Sequence, residues 1–84
     1  MRSFLAFKRK TIKYMRAHGI NKKSLCFIYI PYTSYQCYFV LFSNTYRISY
    51  WKHWTIDKVC DYKIYLQCVG STLEACCDYL WKEN

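Results

Sequence analysis

The sequence predicts an α+β fold in which a small antiparallel sheet of about four strands is flanked by an N-terminal and a C-terminal helix. Three patterns point to it. Apolar side chains recur at helical spacing between Ser3 and Gly19. The middle of the chain is dense in aromatic and β-branched residues and alternates in places. Helical spacing returns after Gly70. The 84 residues suit one domain, with a basic helical segment over 1–23, a strand-rich part over 24–69 and a helix over 71–82.

Residues 3–18 read as the first helix. Ser3 is its N-cap, and Gly19 stands where a helix ends. Phe4, Leu5, Ile12 and Met15 form a broken apolar stripe that Phe7 and Tyr14 extend, with cations filling the rest. Arg16 and His18 fall in the last turn, where positive charge suits the helix dipole. Residues 19–23 form a linker.

Residues 24–46 carry no charge and admit two readings. In the first, Leu25 to Ile30 and Tyr35 to Phe42 are the strands of a hairpin that turns at Pro31-Tyr32-Thr33-Ser34. In the alternative, 24–46 is a single membrane span with the N-terminus cytoplasmic, since the length suffices and the preceding segment is basic. Pro31, Thr33, Ser34 and Gln36 put polar groups at the centre of that span, and tyrosine prefers membrane interfaces. The hairpin is therefore the favoured reading.

Tyr46, Ile48 and Tyr50 alternate on one face of a third strand. Residues 51–54 read as an irregular piece, and Asp57-Lys58 as a turn. Cys60 to Cys68 reads as the clearest strand, with Cys60, Tyr62, Ile64, Leu66 and Cys68 on one face. Ser71-Thr72-Leu73-Glu74 has capping-box spacing with Ser71 as the cap, and Leu73, Cys76, Cys77, Leu80 and Trp81 make the stripe of the last helix.

The net charge of +8 is concentrated at one end. Arg2, Lys8, Arg9, Lys10, Lys13, Arg16, Lys22 and Lys23 precede any acid, whereas the five cations after Tyr46 are offset by Asp57, Asp61, Glu74, Asp78 and Glu83. A concentrated basic segment attracts an acidic partner: an acidic protein, nucleic acid or an anionic membrane surface. Lys8, Arg9, Lys10, Lys13 and Arg16 are the expected contacts. Few Gly, Pro and Ala against many Lys, Tyr, Phe and Ile suggest AT-rich coding DNA, as in many viruses and phages. The apolar run begins too late for a secretory signal, so a cytoplasmic location is expected (the host's, for a viral protein). The acid-free N-terminus also fits a mitochondrial targeting segment.

Six cysteines raise disulfide and metal chemistry. With a tight turn at Pro31-Tyr32, Cys26 and Cys37 fall opposite one another and could bridge in an oxidising compartment; otherwise they are small core residues. The zinc candidates are His53, Cys60, Cys68, Cys76 and Cys77. They form no C-x2-C pair, and Cys60 and Cys68 would lie roughly 26 Å apart on one extended strand. No metal or other cofactor is expected. Two glycines cannot build a phosphate loop, and no local signature pairs a nucleophile with a base, so an enzyme is not expected.

Ten Tyr, five Phe and three Trp offer rings that could stack on bases. The two helices around an antiparallel sheet, with Ser71 and Ala75 where a last helix opens, loosely resemble the double-stranded RNA-binding domain family. Thr72 and Leu73 occupy the places of that family's phosphate-clamping lysines, so the resemblance implies no site here. The expectation is a small accessory protein, viral or phage in origin, that works by binding and can form homo-oligomers.

Overall fold

A computed structural model describes residues 3–82. Arg2 and Glu83, counted above with the basic segment and the acids, lie outside the described residues. The order of elements is α1 (Phe4–Ala17), a 3-10 turn (Lys22–Ser24), β1 (Cys26–Ile30), β2 (Ser34–Leu41), β3 (Asn44–Trp51), β4 (His53–Cys60), β5 (Lys63–Gly70), α2 (Leu73–Cys77) and a closing 3-10 turn (Asp78–Trp81). The strands form one antiparallel meander in the order β1-β2-β3-β4-β5. The α+β class holds, with five strands where about four were expected.

Both ends of α1 are fixed as the sequence implies. The Ser3 hydroxyl accepts the Ala6 amide at 3.0 Å. At the other end Gly19 takes φ 81°, its amide bonds the Arg16 carbonyl, and the Ile20 amide bonds the Met15 carbonyl. These two bonds are the Schellman pattern, and Ile20 packs back on the core. The buried stripe of α1 is Phe7, Thr11, Tyr14 and Met15, with Phe4 half-buried. Leu5, expected within that stripe, points to solvent.

One face of the sheet receives both helices: α1 packs on β2 and α2, and α2 packs on β4 and β5. Cys37, Phe39, Tyr46, Ile48, Trp54 and Ile56 project from this face and meet Phe7, Tyr14 and Met15 from one side and Leu73, Cys76, Cys77 and Leu80 from the other. Phe7 stacks on Trp54 at 5.4 Å between ring centroids, at the centre of an aromatic cluster that also holds Phe4, Phe27 and Tyr35. Among the described residues no helix packs on the opposite face. Arg47 and Asp57 face each other across β3 and β4 there and form a 2.8 Å ion pair, while Ile28, Val40, Ile64, Leu66 and Val69 lie exposed toward its margins.

The hairpin reading of 24–46 holds, since this segment runs through β1 and β2 into β3. No helix among the described residues is long and apolar enough to cross a membrane. Three other expectations are corrected. The irregular piece expected over 51–54 and the turn expected at Asp57-Lys58 are not found: Trp51 closes β3, and His53–Cys60 forms β4, which pairs with β3 nearly to its end. The single strand expected from Cys60 to Cys68 is broken at Asp61-Tyr62, where both residues take positive φ and reverse the chain. Cys60 therefore closes β4 and Cys68 lies on β5, with Ile64 and Leu66 on the face opposite to Cys68. The helix cap is Thr72, not Ser71: the Thr72 hydroxyl accepts the Ala75 amide at 3.0 Å.

Candidate functional site

Two features of the surface carry chemistry: the outer side of α1 and a crevice at one end of the sheet. At roughly 100° per residue, Arg9, Lys13 and Arg16 point directly away from the buried stripe, and Lys10 lies to one side of them. All four are exposed. Lys8 sits on the other flank, half-buried, with Nζ 4.9 Å from the centre of the Phe4 ring. The five expected contacts therefore divide into a row of four and one cation on a different flank. Among the described residues the one ion pair is Arg47–Asp57, so none of these five cations is ion-paired with a described acid. Arg9, Lys10 and Lys13 also line a shallow groove of about 650 Å³ with Ala6, Tyr14, Ala17 and Glu74.

The C-terminal segment locks the helix at its other end. Trp81 Nε1 donates to the Tyr14 hydroxyl at 2.7 Å, and that hydroxyl donates to Asp78 Oδ1 at 2.7 Å. His18 stacks on Trp81 at 4.3 Å with the rings 7° from parallel. Burial and the bond to Asp78 push the Tyr14 phenol well above its ordinary pKa. These contacts fix where the cationic row points.

The crevice lies between two hairpin tips. A meander places the β1–β2 and β3–β4 turns at the same end of the sheet. Between them Tyr29, Ile30, Tyr32, Thr33, Ser34, Tyr35, Tyr50, Trp51 and Lys52 line a space of about 420 Å³. Tyr32 is 95% exposed and Trp51 56% exposed. Lys52 Nζ lies 6.0 Å from the Trp51 ring. Phe4, at the start of α1, stacks on both Tyr29 and Tyr35, so the positive end of the helix dipole abuts this crevice. The sequence reading missed it. A signal was present, because Tyr32 and Lys52 stand in turns and Trp51 at the end of a strand, where no alternation assigns them to a core.

The cysteines do not pair as the sequence allowed. Cys26 lies opposite Tyr38, and Cys37 opposite Phe27, one residue out of the expected register. Ile30 pairs with Ser34, so three residues form the turn rather than two. A one-residue shift moves a side chain to the other face. Cys26 is thus exposed on the open face, while Cys37 is buried under α1, and both thiols are free. Burial pushes the Cys37 thiol up to about 12, and Cys26 adds to the shift.

Of the zinc candidates, Cys68, Cys76 and Cys77 gather where α2 meets β5: Cys76 Sγ lies 3.7 Å from the Cys68 carbonyl, and Cys68 Sγ lies 3.8 Å from the Ala75 carbonyl. His53 and Cys60 stand exposed at opposite ends of β4. Cys68 pairs with Ile56, four residues along β4 from Cys60, a separation of roughly 13 Å. Among the described residues no three His, Cys, Asp or Glu side chains converge to hold a metal ion. No family model matches the chain, and no curated protein or solved structure matches it either.

Proposed function

We propose that the protein is a non-enzymatic binding module for single-stranded nucleic acid, gripping phosphates with the outer row of α1 and stacking an unpaired base in the Tyr32–Trp51 crevice. The observation that carries this reading is the row Arg9, Lys10, Lys13 and Arg16, ion-paired with no described acid, on a helix whose other side is buried in the core. Glu74 borders the same groove but forms no ion pair with the row, and cations without ion-pair partners are available to release counterions from a polyanion. The choice among polyanions rests on the crevice. Exposed rings beside a lysine suit an unstacked base, whose face any aromatic can meet. An anionic membrane would use the cations but find no apolar face on α1, because Phe7, Met15 and their neighbours are already packed on the sheet.

The test is anisotropy of a labelled single-stranded oligonucleotide, titrated at several salt concentrations, beside a duplex of the same length and an acidic polypeptide. The triple variant Arg9→Gln, Lys13→Gln, Arg16→Gln removes three phosphate contacts. It should lower the salt slope by about 2 and the affinity by about 100-fold at 0.1 M salt. Tyr32→Ala with Trp51→Ala should weaken the single strand by about 10-fold or more and leave the duplex nearly unchanged. A triple variant that binds as wild type does overturns the reading. Preference for the acidic polypeptide over nucleic acid moves the partner to a protein.

A further inference from the structure

We infer that β5 is a self-association edge: two copies pair β5 against β5 in antiparallel register, joining their sheets edge to edge. A sheet edge presents unpaired amides and carbonyls, and proteins that stay monomeric usually blunt such edges with charge, proline or cover. Lys63 opens the strand, exposed, and the run beyond it, Ile64-Tyr65-Leu66-Gln67-Cys68-Val69-Gly70, has neither charge nor proline. It is also poorly covered. Ile64, Tyr65, Leu66 and Val69 are all about half exposed or more, Leu66 reaching 62%. The other edge, β1, offers a shorter strand, five residues against eight, and exposed Lys22 and Lys23 precede it while Pro31 follows it.

The partner is a second copy for two reasons. The first is charge. Residues 3–52 hold nine cations and no acid, whereas residues 53–82 hold three cations and four acids. The half of the molecule that carries β5 is thus close to neutral, and pairing there keeps the two α1 helices apart. Pairing through β1 would bring the cationic halves together. The second reason is register. Ile56 pairs with Cys68 and Asp57 with Leu66, so Gln67 is an extra residue in β5. This bulge changes which face each parity of residue occupies. Ile64 and Val69 consequently share the open face, and Tyr65 and Cys68 share the helix face. A two-fold axis between Leu66 and Gln67 sets Ile64 against the partner's Val69 and Tyr65 against the partner's Cys68, matching faces at each pair. A strand without the bulge would place those pairs on opposite faces. Such a two-fold contact closes on itself and gives a dimer. The edge offers less than the about 800 Å² per partner of a standard interface, so a dissociation constant in the micromolar range is expected.

The experiment is sedimentation equilibrium on the full chain in reductant, from 5 to 500 µM. Wild type should pass from monomer to dimer across this range. Ile64→Lys with Val69→Lys, and separately Ile64→Glu with Val69→Glu, should each remain monomeric, because both positions are exposed in the monomer and meet each other across the axis. Mixing the two variants should restore a dimer, since every Lys then faces a Glu. A wild type that stays monomeric at 500 µM overturns the inference, as does association that both variants retain. Loss in both variants without recovery on mixing overturns the register, and open-ended oligomers overturn the two-fold closure. None of these outcomes depends on nucleic acid, so this inference and the proposed function stand or fall separately.

Discussion

Alkali should unfold this protein through buried acids that the native state keeps protonated, Cys37 and Tyr14 among them. Burial lifts the Cys37 thiol from 9.0 to about 12, and burial with the bond to Asp78 lifts the Tyr14 phenol well above 10.0. Both folded values are raised. Their stabilisation is therefore whole below the unfolded pKa values and is lost as pH climbs toward the folded ones. Each pH unit in that window costs about 1.4 kcal/mol per group. Between pH 9 and pH 11 Cys37 loses about 2.3 kcal/mol and Tyr14 about 1.4 kcal/mol, a joint loss of about 3.7 kcal/mol. The Cys77 thiol, held up by its bond to Cys76 and by burial, and the Tyr79 phenol, held up chiefly by burial, act in the same direction, so Cys37 and Tyr14 supply only part of the alkaline loss. A domain of this size has a stability of about 4–12 kcal/mol, so the loss is a large share of the whole. The assay is urea unfolding in reductant, followed by Trp fluorescence at pH 8, 9, 10 and 11. Stability should be level to pH 9, fall between 9 and 10, and fall faster from 10 to 11. Cys37→Ala should make the decline from pH 9 shallower, and Tyr14→Phe should lessen the added steepness above pH 10. Each variant also lowers the starting stability, so the slope is the readout. A urea midpoint that stays constant to pH 11 would refute the assignment of these two groups as the alkaline trigger.

Two further predictions concern packing. A Cβ at Gly70 would meet the Cys76 amide nitrogen at 2.9 Å and the Ala75 carbonyl carbon at 3.1 Å, and neither backbone atom can swing aside. Gly70→Ala should cost about 1–3 kcal/mol in urea unfolding, and an unchanged midpoint would show that α2 does not press on the end of β5. Thr11 is fully buried on α1, and its hydroxyl has no hydrogen-bond partner. Thr11→Val keeps the shape and removes the orphaned group, so stability should rise by about 1 kcal/mol; a fall would mean the hydroxyl is satisfied.

The elements that were legible in the sequence were those whose ends use ordinary chemistry. Ser3 and Gly19 bracket α1 as serine and glycine usually do, and the Leu73, Cys76, Cys77 and Leu80 stripe marks the last helix. The elements that were misread meet at turns written in unusual residues. The four hairpin turns take positive φ at Tyr32, Phe42, Ser43, Lys52, Asp61 and Tyr62, and none contains glycine. Positive φ costs an L-residue about 1–2 kcal/mol, so Tyr, Phe and Lys there give no warning of a reversal. Alternation consequently runs a strand through Asp61-Tyr62 and divides β4 between an irregular piece at 51–54 and a turn at Asp57-Lys58. The same blindness hid the crevice, which exists only because two of these turns lie side by side. The bulge at Gln67 was equally silent, since alternation read through it assigns Ile64 and Cys68 to one face. The cationic row was visible as composition, but its pairing state was not. Whether Arg9, Lys13 and Arg16 face acids depends on where Glu74 and Asp78 come to rest, and folding leaves all three unpaired.

Charge segregation ties the two proposals together physically. With α1 over β2 and α2 over β4 and β5, the cations and the unguarded edge occupy opposite sides of one sheet. A β5-paired dimer would hold its two cationic helices roughly 34 Å apart, seven strand spacings along the joined sheets. Neither helix would be screened by the interface, and both would lie on the same face if the two-fold axis runs perpendicular to the sheet, as the matched faces of Ile64 with Val69 and Tyr65 with Cys68 require. A polyanion long enough to reach both rows would bind with an avidity that a shorter one cannot gain, because its second contact becomes intramolecular. The weak edge would then be strengthened by the ligand itself, since whatever binds the dimer better than the monomer must also favour the dimer.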